Sequence, residues 1–168
     1  AVLQQYVDAA ADQAFTAYAR EHGTGYHLVW QLARESVTTA ARAVVVADQE
    51  DCRTTGYQPV GFEVEAEGTV QGLESDAGGT IKVRGRLDRL DKREEPPGLR
   101  IIDYKYRSTI MKKEDLILSG IRGMRLQPPL YTLMTPVGTE PVSQKTEGVP
   151  VERVELLFIA PQCDPPVD

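Results

Sequence analysis

The sequence predicts an α/β fold, a mixed sheet of about four strands flanked by helices, and three observations carry that expectation. Apolar side chains recur at helical spacing through the first fifty residues. From residue 58 the pattern switches to alternation of apolar and polar side chains, the signature of half-buried strands. Helical and strand patterns then follow one another up to residue 160. A chain of 168 residues can bury one proper hydrophobic core, so a single domain over 1–168 is expected, helical over 1–50 and α/β over 58–160.

Leu3, Tyr6, Val7, Ala10, Ala14, Phe15 and Tyr18 define an amphipathic helix over 3–20, which Gly23 and Gly25 break. A second helix over 26–47 turns Leu28, Val29, Leu32, Val37 and Ala41 inward, and 48–56 reads as a polar connection. Val60, Phe62, Val64 and Ala66 form one face of a strand, with Glu63, Glu65 and Glu67 on the other. After a loop with Gly72, Gly78 and Gly79, Ile81, Val83 and Leu87 alternate with Lys82, Arg84, Arg86 and Asp88. The turn Glu94-Glu95-Pro96-Pro97-Gly98 leads into a strand over 99–106 that is apolar on both faces near its start, as a central strand should be. Helices are expected at 112–118 and 127–134, the second with Pro128 and Pro129 in its first turn, where a missing N–H costs nothing. A loop rich in Pro, Gly, Ser and Thr covers 135–150, and Val154, Leu156, Phe158 and Ile159 give a last strand.

Composition excludes several classes. No apolar run approaches the roughly 20 residues of a membrane-spanning helix, and the start lacks the features of a secretory signal. Cys52 and Cys163 are too few and too far apart for a disulfide scaffold, a zinc site or an iron–sulfur cluster, which points to a reducing, cytoplasmic compartment. The start at Ala1 and the Pro165–Asp168 end suggest a domain cut from a longer protein. Overall charge is −6, but residues 81–125 hold thirteen Lys/Arg against seven Asp/Glu, so this segment is +6 and the remainder −12. A local phosphate-facing surface on an acidic body produces such asymmetry, and so does a solvated strand and helix pair.

The chemistry concentrates on two strands. Asp103 and Lys105 share a strand face with Leu99 and Ile101, so an acid and an amine meet apolar surface, where an ionised group needs a partner or a task. A turn centred between Glu95 and Pro96 pairs residues whose numbers sum to 191, which sets Asp88 opposite Asp103. Two carboxylates at such cross-strand separation repel, and a divalent cation converts that repulsion into binding.

Gly85-Arg86-Leu87-Asp88-Arg89-Leu90-Asp91, then Ile101-Ile102-Asp103-Tyr104-Lys105, then Gln127-x-x-x-Tyr131, resembles the RecB-like branch of the PD-(D/E)XK nucleases, in order and spacing, over residues 58–135. Within it the chain looks most like the nuclease domain of AddB- or RecB-type helicase–nuclease subunits. The resemblance implies a restriction-endonuclease-like core and a nuclease, an exonuclease rather than an endonuclease, that cleaves DNA with Mg2+, or Mn2+ in its place, beside a helicase domain or subunit in repair and recombination. It implies Asp88, Asp103 and the Tyr104 carbonyl as metal ligands, and Lys105 as the group that orients water and stabilises phosphate charge. Glu63 fits the acidic position before the first metal strand, with Glu65 on the same face as its rival. Gln127 and Tyr131, one helical turn apart, and Arg84 and Arg86 are the candidate nucleic-acid contacts.

Blander readings stand beside these. Asp103 and Lys105 form a structural ion pair, Tyr131 packs in the core, Glu63 is solvated, and Arg89 and Asp91 cap or solvate the hairpin. Many members of the family carry a metal-binding His after a G-x-x-x-H stretch on an early helix. Gly23-Thr24-Gly25-Tyr26-His27 imitates it, with a site upstream of this chain as the rival. The functional alternative to an active nuclease is the same fold without activity, used to grip DNA or a partner as a scaffold. Hydrolysis of a small phosphate ester is disfavoured, because no Gly-rich P-loop is present.

Overall fold

A computed structural model describes residues 2–71, 79–106, 112–124, 126–137 and 142–159. Gly72, Gly78, Arg107, Arg125, Cys163, the centre of the 135–150 loop and the Pro165–Asp168 end lie outside the described residues. The chain divides into two compact units, one built on residues 1–50 and one on 51–105 and 110–158.

The first unit is a helical hairpin. Helix α1 (Val2–His22) ends where Gly23 takes φ 76°, a left-handed conformation that costs glycine little. Helix α2 (His27–Thr55) follows after Gly25 at φ 61°. Phe15 and Tyr18 of α1 pack on Trp30 of α2, edge-on at 5.6 Å and stacked at 5.7 Å, and Arg34–Asp12 and Arg42–Asp8 pairs join the same helices. The expected polar connection over 48–56 is instead the last turns of α2. Nothing between Asp48 and Thr55 breaks a helix, and Gly56 at φ 76° stops it with its N–H on the Cys52 carbonyl.

The second unit carries a five-stranded mixed sheet in the order β4-β1-β2-β3-β5, one strand more than expected. Its strands are β1 (Gln58–Gln71), β2 (Thr80–Arg93), β3 (Gly98–Tyr106), β4 (Met134–Pro136) and β5 (Val151–Ile159). Antiparallel ladders join β1 to β2, β1 to β4 and β2 to β3. Helices α3 (Lys113–Ile121), α4 (Gln127–Tyr131) and α5 (Val142–Thr146) belong to the same unit. The helix expected over 127–134 stops at Tyr131, and Met134–Pro136 pairs with β1 as a short edge strand, where a proline is tolerated. Gly68 permits this edge, since a Cβ there would meet the Leu133 carbonyl oxygen at 2.2 Å.

One face of the sheet is the hydrophobic core of Val64, Ala66, Leu87, Leu90, Leu99, Ile101, Tyr131 and Met134, with Val142, Val149, Val151 and Val154 packed against it. Each fully buried Leu or Ile here contributes roughly 1.5–3 kcal/mol. Phe62, expected inward beside Val64, is 62% exposed. Glu63 at φ 52° and a register shift between Pro59 and Gly61 interrupt the alternation at that point. Leu87 and Leu90, three residues apart on β2, both enter the core, so β2 also departs from strict alternation beside Asp88.

Candidate active site

The turn between β2 and β3 sets the register. Its pairs run from Arg93↔Gly98 to Arg89↔Ile102, all summing to 191, as the centred turn predicts. The ladder stops one pair short of Asp88 and Asp103. At that point the Asp88 Oδ2 accepts the Tyr104 backbone N–H at 2.8 Å, so the strands stay tied by a side chain where backbone pairing ends. Asp88 is half-buried.

Asp103 continues the core-facing row of Leu99 and Ile101 and is only 2% exposed. A buried carboxylate needs partners. Its Oδ1 accepts the Tyr131 hydroxyl at 3.1 Å, and its Oδ2 lies 2.5 Å from the Lys105 Nζ. That Oδ2 is buried and makes no hydrogen bond of acceptable angle, leaving it a charged contact and a lone-pair direction to spare. The Lys105 side chain is 22% exposed. Tyr131 rises from the last position of α4 to hold Asp103 from the core side. Burial, then the Asp103 charge and hydrogen bond, then the Asp88 charge push its phenol well above the ordinary tyrosine range. Three of the expected site residues, Asp88, Asp103 and Lys105, therefore meet with Tyr131 at one end of β2 and β3.

The other expected residues are placed elsewhere. Glu63, next to Asp88 on the neighbouring strand, pairs with Arg86 at 2.7 Å on the exposed face. Arg84 pairs with Glu67 at 2.5 Å on the same face, and Glu65 is exposed opposite Arg86 in the ladder. The two arginines thus have acidic partners on β1, which offsets much of the positive charge the composition suggested. Gln127 is exposed at the start of α4. His27 is exposed at the start of α2, in the helical unit.

Reasoning from the sequence missed an ionic layer behind the site. Arg89 and Asp91 do not solvate the hairpin: they are 3% and 0% exposed. The Asp91 carboxylate accepts both Arg89 (Nε at 2.6 Å, Nη2 at 2.9 Å) and Arg100 (Nη2 at 2.7 Å). Arg100 also reaches Asp51 in the last turn of α2, and its guanidinium lies 4.8 Å over the Tyr57 ring. The signal was present. Arg100 stands alone in an apolar strand, and the sum of 191 sets Asp91 opposite it.

Tyr57 is buried, and burial, then its hydrogen bond to Glu152, raise its phenol above the ordinary range despite the nearby Arg93. A phenol whose pKa rises on folding stabilises the protein only while it stays protonated. Stability should therefore fall as pH climbs past the unfolded tyrosine value of about 10. Thermal melts between pH 8 and 11 should show this fall, and Tyr57→Phe should make it shallower. An equally steep fall in that variant would assign the loss to other groups.

Whether these residues suit a divalent cation can be judged from their donors. Among the described residues no group of three or more His, Cys, Asp or Glu side chains gathers at one point. Magnesium does not require one, since it binds through one or two carboxylates and keeps several waters. Asp88 and Asp103, with the unsatisfied Oδ2 of Asp103, fit that demand.

A model of the PD-(D/E)XK nuclease superfamily matches residues 1–163. No curated protein matches the chain. No helix among the described residues is long and apolar enough to cross a membrane.

Proposed function

The chain belongs to the PD-(D/E)XK nuclease superfamily, and on that premise we propose that it is a magnesium-dependent deoxyribonuclease domain of the RecB-like branch. The observation that carries this reading is the buried Asp103, with Tyr131 on one oxygen and Lys105 against the other, beside Asp88. Asp88, Asp103 and the Tyr104 carbonyl would hold the cation, which when bound would supply positive charge to the scissile phosphate and acidify water. Tyr131 fixes the Asp103 carboxylate by donating to Oδ1 at 3.1 Å. Lys105 sits where its ammonium can donate to a phosphate oxygen and orient the attacking water. Hydrolysis then forms a bond from water oxygen to phosphorus and breaks the bond to one ester oxygen, which leaves with a proton. In the intact protein the domain acts as an exonuclease beside a helicase domain or subunit in DNA repair and recombination.

Glu63 is the candidate further acid, available once it leaves Arg86. Gln127, Arg84 and Arg86 are the candidate contacts to DNA, while Tyr131, 6% exposed and bonded to Asp103, serves the carboxylate instead. Because Arg84 and Arg86 are paired with β1 acids, binding by the isolated domain should be weak. Each phosphate contact should add about 0.9 to the slope of log affinity against log salt. Arg84→Glu with Arg86→Glu should weaken binding on all sequences alike, measured by fluorescence anisotropy at several salt concentrations. A sequence-selective loss would show base reading instead.

The deciding experiment is cleavage of end-labelled single- and double-stranded DNA with and without magnesium, alongside calorimetry with magnesium and manganese. Metal-dependent cleavage supports the proposal. DNA binding without metal uptake or cleavage would favour an inactive DNA-gripping module on the same fold.

A further inference from the structure

Asp88, Asp103 and Tyr104 lie beyond the last pair of the β2–β3 ladder, Arg89↔Ile102, so backbone pairing between these two strands does not tie them to each other. Side chains do, and they converge on Tyr104. Its backbone N–H is held by Asp88 at 2.8 Å, and its hydroxyl lies 3.4 Å from the Arg89 Nη1. We infer that Arg89 is a positioning residue for the Asp88–Asp103 site, locked by Asp91 and acting through Tyr104; this rests on the nuclease reading of that site.

Three features support the inference. Arg89 ties together several elements around the site strands. Its guanidinium bonds Asp91 on β2, Tyr104 on β3 and the Cys52 Sγ on α2, and lies 5.9 Å from the Phe62 ring on β1. It is also immobile: the planar fork is bidentate on Asp91, which is fully buried and is itself held by Arg100. Finally, the charges of the layer are paired within it: Asp91 with Arg89 and Arg100, and Asp51 with Arg100, which also has Glu155 at 3.9 Å. Its hydrogen bonds fix directions, and its effect on the carboxylates is geometric. An apolar residue would fill the same space without dictating a direction. A rigid fork aimed at one hydroxyl dictates it.

The test uses Arg89→Lys and Tyr104→Phe in the whole protein. Four quantities are read: hydrogen exchange of the Tyr104 amide, magnesium affinity by calorimetry, kcat and KM for DNA cleavage, and melting temperature. Lysine keeps the charge but loses the fork. Phenylalanine removes one oxygen and should fold even if the lysine variant does not. Both should speed exchange of that amide about tenfold and lower metal affinity or kcat by about 10–100-fold, as outer contacts to metal ligands commonly do. KM should stay within about twofold, and the double variant should be little worse than Arg89→Lys, because both changes cut one contact. A lower melting temperature with parental exchange, metal affinity and kcat would make Arg89 merely structural and overturn the inference. Faster exchange in a protein whose parent neither takes up metal nor cleaves DNA would uphold the positioning and reject the nuclease reading alone.

Discussion

Asp103→Asn should abolish cleavage and weaken magnesium binding while the domain stays folded. The carboxylate is 2% exposed, and its Oδ2 has Lys105 Nζ at 2.5 Å as its ion-pair partner, so that oxygen meets a cation once the ammonium moves aside. Asparagine keeps an oxygen that can accept the Tyr131 hydroxyl, so the core-side contact survives. It removes the negative charge and sets an amide where that oxygen was, and an amide N–H cannot ligate a metal. Lys105 loses its partner, but its side chain is 22% exposed and flexible enough to turn to water, which limits the structural cost. Asp88→Asn should act in the same direction. Its remaining carbonyl can still accept the Tyr104 N–H, so the strand tie weakens rather than breaks. Loss of one such group commonly costs about 10²–10⁴ in rate. Calorimetry and a cleavage assay check both variants, and parental magnesium affinity in either one would remove that residue from the ligand set.

How much of this site was legible in the sequence depends on the kind of interaction. The turn chemistry around Pro96 and Pro97 dictated the β2–β3 register, and one arithmetic rule then aligned Arg100 with Asp91 as firmly as Ile101 with Leu90. Asp88, Asp103 and Lys105 were legible because a strand's two-residue period fixes which side chains share a face. What escaped follows from breaks in that period. Glu63 at φ 52° interrupts β1, so Phe62 left the core face and Glu63 met Arg86, neither of which alternation foretells. The end of α2 escaped for another reason: residues 48–55 are polar without being helix breakers, and polarity alone does not end a helix. The short β4 pairs with β1 far along the chain, and three residues carry too little pattern to announce that. Arg89 and Asp91 were read as surface because charged residues usually are. Their burial rests on each other and on Arg100, with Tyr104 and Cys52 beside them, a joint condition that no single position displays.

Lys105→Ala should separate binding from chemistry. Lys105 Nζ lies 2.5 Å from Asp103 Oδ2, so its ammonium neutralises the carboxylate. An ammonium carries three donors and no acceptor, and it cannot ligate a cation. Removing it therefore takes nothing from the ligand set and relieves a positive charge beside an incoming one. Magnesium affinity should be equal to the parent's or tighter. DNA affinity should change little, since one cation among several phosphate contacts is lost. The chemical step should fall by about 10²–10⁴, the usual cost of one oriented group that acts on developing charge. Lys105→Arg should recover little of it. The guanidinium is planar and longer, cannot lose its proton, and would meet Asp103 through a fork rather than a single point. Single-turnover cleavage, measured beside metal titration, gives the rate and the affinity on the same preparation. Parental cleavage by Lys105→Ala in the full-length protein would return the Asp103–Lys105 contact to a structural ion pair, and with it the proposed nuclease mechanism would fall.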